Sequence, residues 1–574
     1  MKKEAARRKF IKKSILGTGG LLLATNFVSC AGDPEFNSQF QAPSFLAKKN
    51  FDLGVASFDP TDSQVIIWTR YNSTEAAVKI VWQLSLDMEF KNIVRSGEVQ
   101  TDADRDYTVA VEIQDLAANM QLYYRFLQED KQHVSVVGET RTFPKTGITS
   151  LHIGLTSCAN YEAGYFNVYE AMAHDTIDLV LHVGDYIYEN KANVLSADTN
   201  MNRVHSPTNE LLSLDDYRMR YRQYRKDSSL QLLHQKKPCI CVWDDHEIAN
   251  DAYKEGAQNH QTNEGDFETR KQAAIQAYSE YLPFTTTDTA IIYRSFQFGD
   301  LAKLVVLDTR IAGRDKQLSV EAYRDESGIV NTLQLEQDLA DSTRTLLGNI
   351  QKNWLLNEIN SNSCTWLLLG QQVLFGKMHL PIELIQELNK LQISYANNTF
   401  ISESEMDDFS LLLSDLVQLK VRIEANDPTL TDTDKNRIEH TMPYNLDAWD
   451  GYPAEREIVL NALEGKRSLV LSGDSHNAWH NIVAKENEAF VCHEFATAAV
   501  SSSGLELFVS DAQQLQNFQD SLVYLIEGLV FFDASKKGYV SLTLTQDTAI
   551  TNWVSVDSVL EKPSVAQITN TIQV

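Results

Sequence analysis

Asp178-Leu179-Val180-Leu181-His182-Val183-Gly184-Asp185-Tyr186-Ile187-Tyr188-Glu189 is a short apolar run that stops at a glycine and then presents an acid, two tyrosines and a second acid. An apolar run of this length, bounded by turn residues, reads as a strand. Three other stretches repeat the pattern. Residues 151–157 run into Cys158-Ala159-Asn160, Ile240-Cys241-Val242-Trp243 into Asp244-Asp245-His246-Glu247, and Leu469-Val470-Leu471 into Ser472-Gly473-Asp474-Ser475-His476. In open α/β sheets, ligands bind beyond the carboxyl ends of the strands. The spacing therefore brings Cys158, Asp185, Tyr188, Asp245, His246, Asp474 and His476 to one edge.

Around these stretches, apolar runs alternate with amphipathic ones. Further strands are predicted at 303–307 and 366–369, and helices at 164–174, 213–226, 267–282 and 348–361. This is α/β alternation over 148–574. A polar, acidic stretch at about 378–440 interrupts it and reads as an insertion, either a cap over the site or a surface decoration. Residues 47–146 carry only strand signals, at 64–70, 79–84, 107–113, 122–126 and 133–137, and predict a small all-β sandwich domain. The 574 residues are 43% hydrophobic and 22% charged, enough for a sizeable core and unlike a disordered chain. A net charge of −27 argues against nucleic-acid scaffold binding, which needs a basic face. Six cysteines in so long a chain do not make a disulfide framework.

Each strand-end motif has a plainer reading alone. Gly184-Asp185 is a common turn, 244–247 a capped helix start, 473–476 a loop, and Cys158 a small buried hydrophobe. Together at strand ends they make a site. Asp185, Asp245 and Asp474, crowded in an acidic protein, repel one another unless cations neutralise them. A pair of cations sharing one carboxylate can clamp both the attacking and the leaving oxygen of a phosphoryl transfer.

Residues 1–29 are a separate object. Lys2, Lys3, Arg7, Arg8, Lys9, Lys12 and Lys13 precede a short apolar stretch from Ile15 to Ala24, the pattern of an export signal. Arg7-Arg8-Lys9-Phe10-Ile11-Lys12 resembles a twin-arginine signal, which implies that export machinery as a partner. Phe27-Val28-Ser29-Cys30 resembles a lipobox, with Cys30 as the lipidated residue and membrane tether; without it the chain is released after cleavage. Residues 30–46 read as a tether. The location implied is periplasmic or lipid-anchored at the cell envelope.

The motifs also carry a family resemblance. The chain from about 51 to 555 resembles the PhoD-like alkaline phosphatases, a branch of the metallophosphoesterases. It does so through 51–60, Trp68-Thr69-Arg70, Ser157-Cys158, 184–189, 243–247, Leu307-Asp308-Thr309-Arg310, Gly370-Gln371-Gln372, 447–452 and 472–476. The resemblance implies an α/β metallophosphoesterase-type fold, two packed mixed sheets flanked by helices, behind the sandwich. It implies Fe3+ with Ca2+. Cys158, a bridging Asp185, Tyr188 and His476 would take the iron; thiolate and tyrosinate favour the trivalent ion. Asp245 and Asp474 would make the second position oxygen-only, suited to a hard cation rather than Zn2+. Asn160 and Asn250 are further candidate ligands, and Zn2+, Mn2+ or Mg2+ are the alternative metals. Tyr188, three residues after Asp185, lies within reach of the same ion, whereas Tyr186 is read as packing.

The activity implied is hydrolysis of phosphate monoesters outside the cytoplasm, a hydroxide or oxide on the metals attacking phosphorus, with Asp185 and His246 as the catalytic pair. His246 would donate a proton or only hydrogen-bond the phosphate. Arg310 would bind phosphate or form a structural ion pair. Trp449 and Tyr452 would line the substrate groove or belong to the core. The rivals are a phosphodiesterase or phospholipase D-like hydrolase, and a non-catalytic surface protein binding metal or glycan.

Overall fold

The computed structural model describes residues 50–574 apart from 129–132, 195–200, 287, 326–329, 399–400, 486–488 and 510. The export leader, Cys30 and the tether lie outside the described residues. Two large mixed sheets form the centre. The first has nine strands, in the order Ala566–Gln573, Ala549–Val556, Lys537–Thr545, Ser150–Thr156, Leu179–His182, Cys239–Cys241, Val55–Phe58, Val65–Arg70, Thr108–Ile113. The second has seven, in the order Arg294–Phe298, Ala302–Val306, Trp366–Gly370, Ser468–Ser472, Phe490–Ala496, Ala478–Ala484, Leu529–Asp533. Each sheet has a parallel centre, with registers such as Leu155↔Leu181↔Ile240 in the first and Val305↔Leu369↔Val470 in the second. Parallel strands covered on both faces need no polar alternation, and Leu179–His182 and Trp366–Gly370 are buried throughout. The sheets pack face to face, so that a methyl on Gly370 would lie 3.0 Å from Leu181. Beyond the strand ends, an isolated parallel bridge, Ser157↔Ala499, joins the two layers.

The predicted helices form at Asn167–His174, Leu214–Arg225, Phe267–Tyr281 and Gly348–Asn360. Ser213 and Asp216 close a reciprocal capping box at the start of the second, and Asp266 caps the third.

The N-terminal segment is all-β, as expected, and one of its two layers is continuous with the nine-stranded sheet. Its outer sheet, Ile93–Asp102, Ala77–Ser85, Gln121–Gln128, Gly138–Arg141, is separate, but Val55–Phe58, Val65–Arg70 and Thr108–Ile113 extend the nine-stranded sheet through the pairing Phe58↔Cys239. The reason lies in Val65-Ile66-Ile67-Trp68. Val65 and Ile67 face the N-terminal core, while Ile66 and Trp68 face the central one. The strand predicted at 133–137 is instead an isolated bridge at Val134, and the fourth strand of the outer sheet begins at Gly138.

The insertion is closed by a two-stranded ribbon, His379–Pro381 against Thr441–Pro443, and holds helices Ile382–Asn398, Glu403–Glu424 and Asp432–Glu439. It leans on helix Ala512–Leu525, where Phe409 meets Phe518 and Lys420 Nζ donates to the Tyr524 and Leu525 carbonyls at 2.7 and 3.0 Å. No helix among the described residues is long and apolar enough to cross a membrane.

Burial of neutral imidazoles sets a pH limit on this fold. Burial pushes His182 and His480 down to about 3, and His205 to about 2, with His493 adding to the effect on His480 and Arg220 to that on His205. Below an unfolded value of roughly 6.5, the unfolded chain binds protons that the folded one refuses, so stability falls as pH falls. Each histidine is expected to cost about 1.4 kcal/mol per pH unit below that point. Thermal unfolding of wild type and His205→Gln between pH 7 and 4 checks this; the same loss of melting temperature with falling pH in both would contradict it.

Candidate metal centre and active site

The strand ends turn sharply to present their side chains. Cys158, Asp185, Asp474 and His476 all have left-handed backbone, with φ of 62°, 56°, 58° and 62°. Such conformations are uncommon for residues other than glycine and cost of order 1–3 kcal/mol each. Gly184 precedes Asp185 at φ 104°, and a Cβ there would sit 2.3 Å from Asp244 Cβ. Glu247 locks two of these loops together. Its carboxylate accepts from the Asp185 N–H at 3.0 Å, the Asp244 N–H at 2.8 Å and the Tyr186 N–H. Burial, then the neighbouring Asp185, pushes its carboxyl up to about 8.

One donor group joins Cys158, Asp185 and His476, whose ligand atoms lie within 4.8 Å of one another. Tyr188 stands in the same place. Its hydroxyl donates to Asp185 Oδ2 at 2.9 Å and lies 3.1 Å from His476 Nε2. His476 Nδ1 is 2.6 Å from the Ser503 carbonyl. That carbonyl can only accept, so Nδ1 carries the proton and Nε2 is a free lone pair, the tautomer a metal ligand needs. Burial and the adjacent Asp185 push both the Cys158 thiol and the Tyr188 phenol well above their usual ranges.

A second group joins Asp185 with Asp245 and His246, and a third Asp244 with Asp245 and Asp474. Asp185 therefore belongs to two adjacent groups and Asp245 to two. Burial pushes Asp474 and Asp244 well up despite Arg310, with the surrounding aspartates adding to it. Asp245 goes the other way, to about 2: burial opposes ionisation, but Arg310, His246 and the Asp251 N–H outweigh it. Asp185 Oδ1 and Asp244 Oδ2 are buried and accept no hydrogen bond. Crowded carboxylates, a thiol, a phenol, an imidazole lone pair and two orphaned oxygens fit bound cations, which displace the protons these groups otherwise hold.

His246 is held by Glu189, Nδ1 to Oε2 at 2.6 Å. Glu189 is fully buried and also accepts from Asn250 N–H at 2.8 Å and Asn259 Nδ2 at 2.6 Å. Burial alone would lower the His246 pKa, but Glu189, Asp185 and Asp245 hold it well above the ordinary imidazole range.

Arg310 forms the ion pairs that the sequence left open as one of its two readings. It is fully buried; Nε donates to Asp244, Nη1 to Asp447 at 2.7 Å and Nη2 to Asp474 at 3.1 Å, with Asp245 at 3.7 Å. Each of its three nitrogens donates to a carboxylate, so the geometry favours the ion pair over the expected phosphate contact. Trp449 and Tyr452 are core residues: Trp449 Nε1 donates to Gln371 at 3.0 Å and the Tyr452 hydroxyl to the Asp315 carbonyl at 2.6 Å. Asn160 turns its amide oxygen to the Glu162 N–H at 3.0 Å, and Asn250 its amide nitrogen to Gln258 at 3.3 Å. These side-chain hydrogen bonds of both asparagines are made outside the carboxylate clusters.

Sequence reasoning gave no role to Asp244, Glu189 or Glu247, although all three stand inside the quoted motifs. Asp447 and Ser502 were likewise without a role. A buried acid at a strand end is the signal that could have found the first three; Ser502 sits in a plain serine run without one.

Two packed mixed sheets with acids and imidazoles gathered at their strand ends define a metallophosphoesterase-type fold. The PhoD-like phosphatase model matches residues 153–553 and the model of the PhoD-like phosphatase N-terminal domain matches residues 38–144. Alkaline phosphatase D of Bacillus subtilis is 30% identical over 564 residues, covering 94% of this chain and 82% of that one. A solved structure of PhoD superposes with a TM-score of 0.71 at 27% identity, over 93% of this chain and 91% of that chain. Purple acid phosphatase PPD1 from yellow lupin seeds shares the fold, with a TM-score of 0.53 at 10% identity over 90% of this chain and 73% of its own. The chain belongs to the PhoD-like phosphatase family.

Proposed function

We propose that this protein is an exported, metal-dependent alkaline phosphatase that hydrolyses phosphate monoesters. The observation that carries the reading is the sharing of Asp185 between the Cys158–His476 group and the Asp245–His246 group. One carboxylate between two cation positions is the arrangement a phosphoryl-transfer clamp requires. Cys158, Asp185, Tyr188 and His476 would hold Fe3+, which suits thiolate and phenolate; Asp185, Asp245 and Asp474 would hold Ca2+, which suits oxygen. Bound there, the cations would activate the attacking oxygen and screen the phosphoryl charge.

The rest is the work of the chain's own residues. Glu189 keeps the His246 ring oriented and protonated at Nδ1, leaving Nε2 to donate to a phosphoryl or leaving-group oxygen. Arg310 holds Asp244, Asp447 and Asp474 at fixed spacing. Glu247 fixes the backbone on which Asp185 and Asp244 are mounted. Replacing His246 by Asn is expected to lower kcat by about 10²–10⁴-fold, the usual worth of general acid catalysis.

The test of the reading is turnover of an aryl monophosphate against a bis-aryl phosphate by protein purified after native export. Faster monoester turnover supports it; a preference for the diester replaces it with the phosphodiesterase reading. For export, Arg7-Arg8 and the segment ending at Cys30 support twin-arginine translocation of the loaded enzyme and lipid anchoring at the envelope. Replacing Arg7 and Arg8 by Lys is expected to retain the enzyme in the cytoplasm, and Cys30→Ala to release it from the membrane fraction; cell fractionation reads both.

A further inference from the structure

We propose that Ser502 is a positioning residue for Tyr188, supplying the hydrogen bond its oxygen must receive when that oxygen ligates a cation. The inference rests on Tyr188 being a ligand, as proposed above. Three groups surround the Tyr188 oxygen: Asp185 Oδ2 at 2.9 Å, His476 Nε2 at 3.1 Å and Ser502 Oγ at 2.6 Å. The first is a carboxylate oxygen, and the second is a lone pair because Ser503 fixes the other ring nitrogen as the donor. Of these three, only Ser502 has a proton to give.

A ligating tyrosine oxygen has lost its own proton, so any hydrogen bond to it must be received. A serine hydroxyl has one proton and rotates to suit. The Ser502 proton has two acceptors within reach, Tyr188 Oη at 2.6 Å and the Cys158 carbonyl at 2.9 Å, while its own oxygen receives the Asn160 N–H at 3.2 Å. The Cys158 carbonyl does not need the hydroxyl. It already accepts the backbone N–H groups of Ser501 and Ser502, each at 3.3 Å. The hydroxyl can therefore turn from Cys158 to Tyr188 without leaving a buried acceptor unpaired, which keeps the cost of the turn low.

The surrounding backbone holds Ser502 for this task. Val500 N–H donates to the Ser157 carbonyl at 3.0 Å, and Ser501 Oγ to the Asn160 carbonyl at 2.7 Å. Residues 499–502 are thus zipped to the loop that carries Cys158, and the next residue, Ser503, orients His476. One short segment adjusts three of the four proposed iron ligands.

Removing the bond leaves the phenolate more electron-rich, which lowers the energy of phenolate-to-iron charge transfer. The test compares exported wild type, Ser502→Ala and Ser502→Thr by visible spectrum, iron content and melting temperature. The expected result is a charge-transfer band in the wild type, moved to longer wavelength in Ser502→Ala and restored in Ser502→Thr, with iron retained. Iron lost from Ser502→Ala but kept by Ser502→Thr also supports the proposal, since only the hydroxyl separates them. An unmoved band in Ser502→Ala, or equal loss in both variants, overturns the proposal and leaves the metal reading standing. A wild type that carries no iron and no such band overturns both.

Discussion

Asp185→Asn is expected to abolish hydrolysis of an aryl monophosphate. The substitution keeps the shape and the left-handed turn, because asparagine tolerates that backbone nearly as well as aspartate. It removes the charge shared by two donor groups and replaces one buried oxygen by an amide. Metal-ion stabilisation of a phosphoryl transfer is worth several kcal/mol, so activity should fall by about a thousandfold or more. Metal content should fall with it, at both positions rather than at one. A non-catalytic metal- or glycan-binding protein has no activity to lose. Retention of more than a tenth of wild-type turnover by the variant would exclude Asp185 from the role given to it.

The other large effect concerns stability. Arg310→Met removes the guanidinium set among Asp244, Asp245, Asp447 and Asp474 and leaves only Asp447 paired with a second one, that of Arg314; Arg310 and Asp244 are wholly buried. Breaking a buried ion pair from one side costs about 3–5 kcal/mol, because the remaining charge is left without compensation. The metal-free variant should therefore unfold at distinctly lower denaturant concentration than metal-free wild type. Added Ca2+ should restore part of the difference, since a bound cation stabilises the folded state by mass action. Arg310→Lys should fall between the two, because a single ammonium cannot reproduce the three-way fork to Asp244, Asp447 and Asp474. Equal stability of Arg310→Met and wild type would mean that the guanidinium is not the counter-charge of the cluster.

What the sequence revealed, and what it hid, follows from which interactions are local. Leu179–His182 and Cys239–Cys241 were legible because a strand covered on both faces is written as an unbroken apolar run. The ligand-bearing turns were legible because each follows such a run directly. Ile93–Asp102 was not read as a strand, since only Thr101 along it is buried, and apart from the half-buried Val94 and Val99 it is mostly polar or exposed. The joining of Val55–Phe58 to the catalytic sheet was hidden for another reason. Both faces of Val65–Arg70 are apolar, and nothing local says that two different cores receive them. At the site, the chemistry-bearing residues announced themselves by type, but their partners did not. Glu189 meets His246 across 57 positions of chain and Ser502 meets Tyr188 across 314. Arg310 could be read either way until its carboxylates, drawn from three separate loops, were seen around it.

The most direct measurement is a crystal structure of the exported protein with anomalous data collected on both sides of the iron absorption edge. An iron peak bounded by Cys158 Sγ, Asp185, Tyr188 Oη and His476 Nε2, with a second, lighter cation across Asp185 toward Asp245, is the predicted result. No peak between those side chains, or an iron held by a different set of residues, would contradict the centre on which the proposed hydrolysis depends.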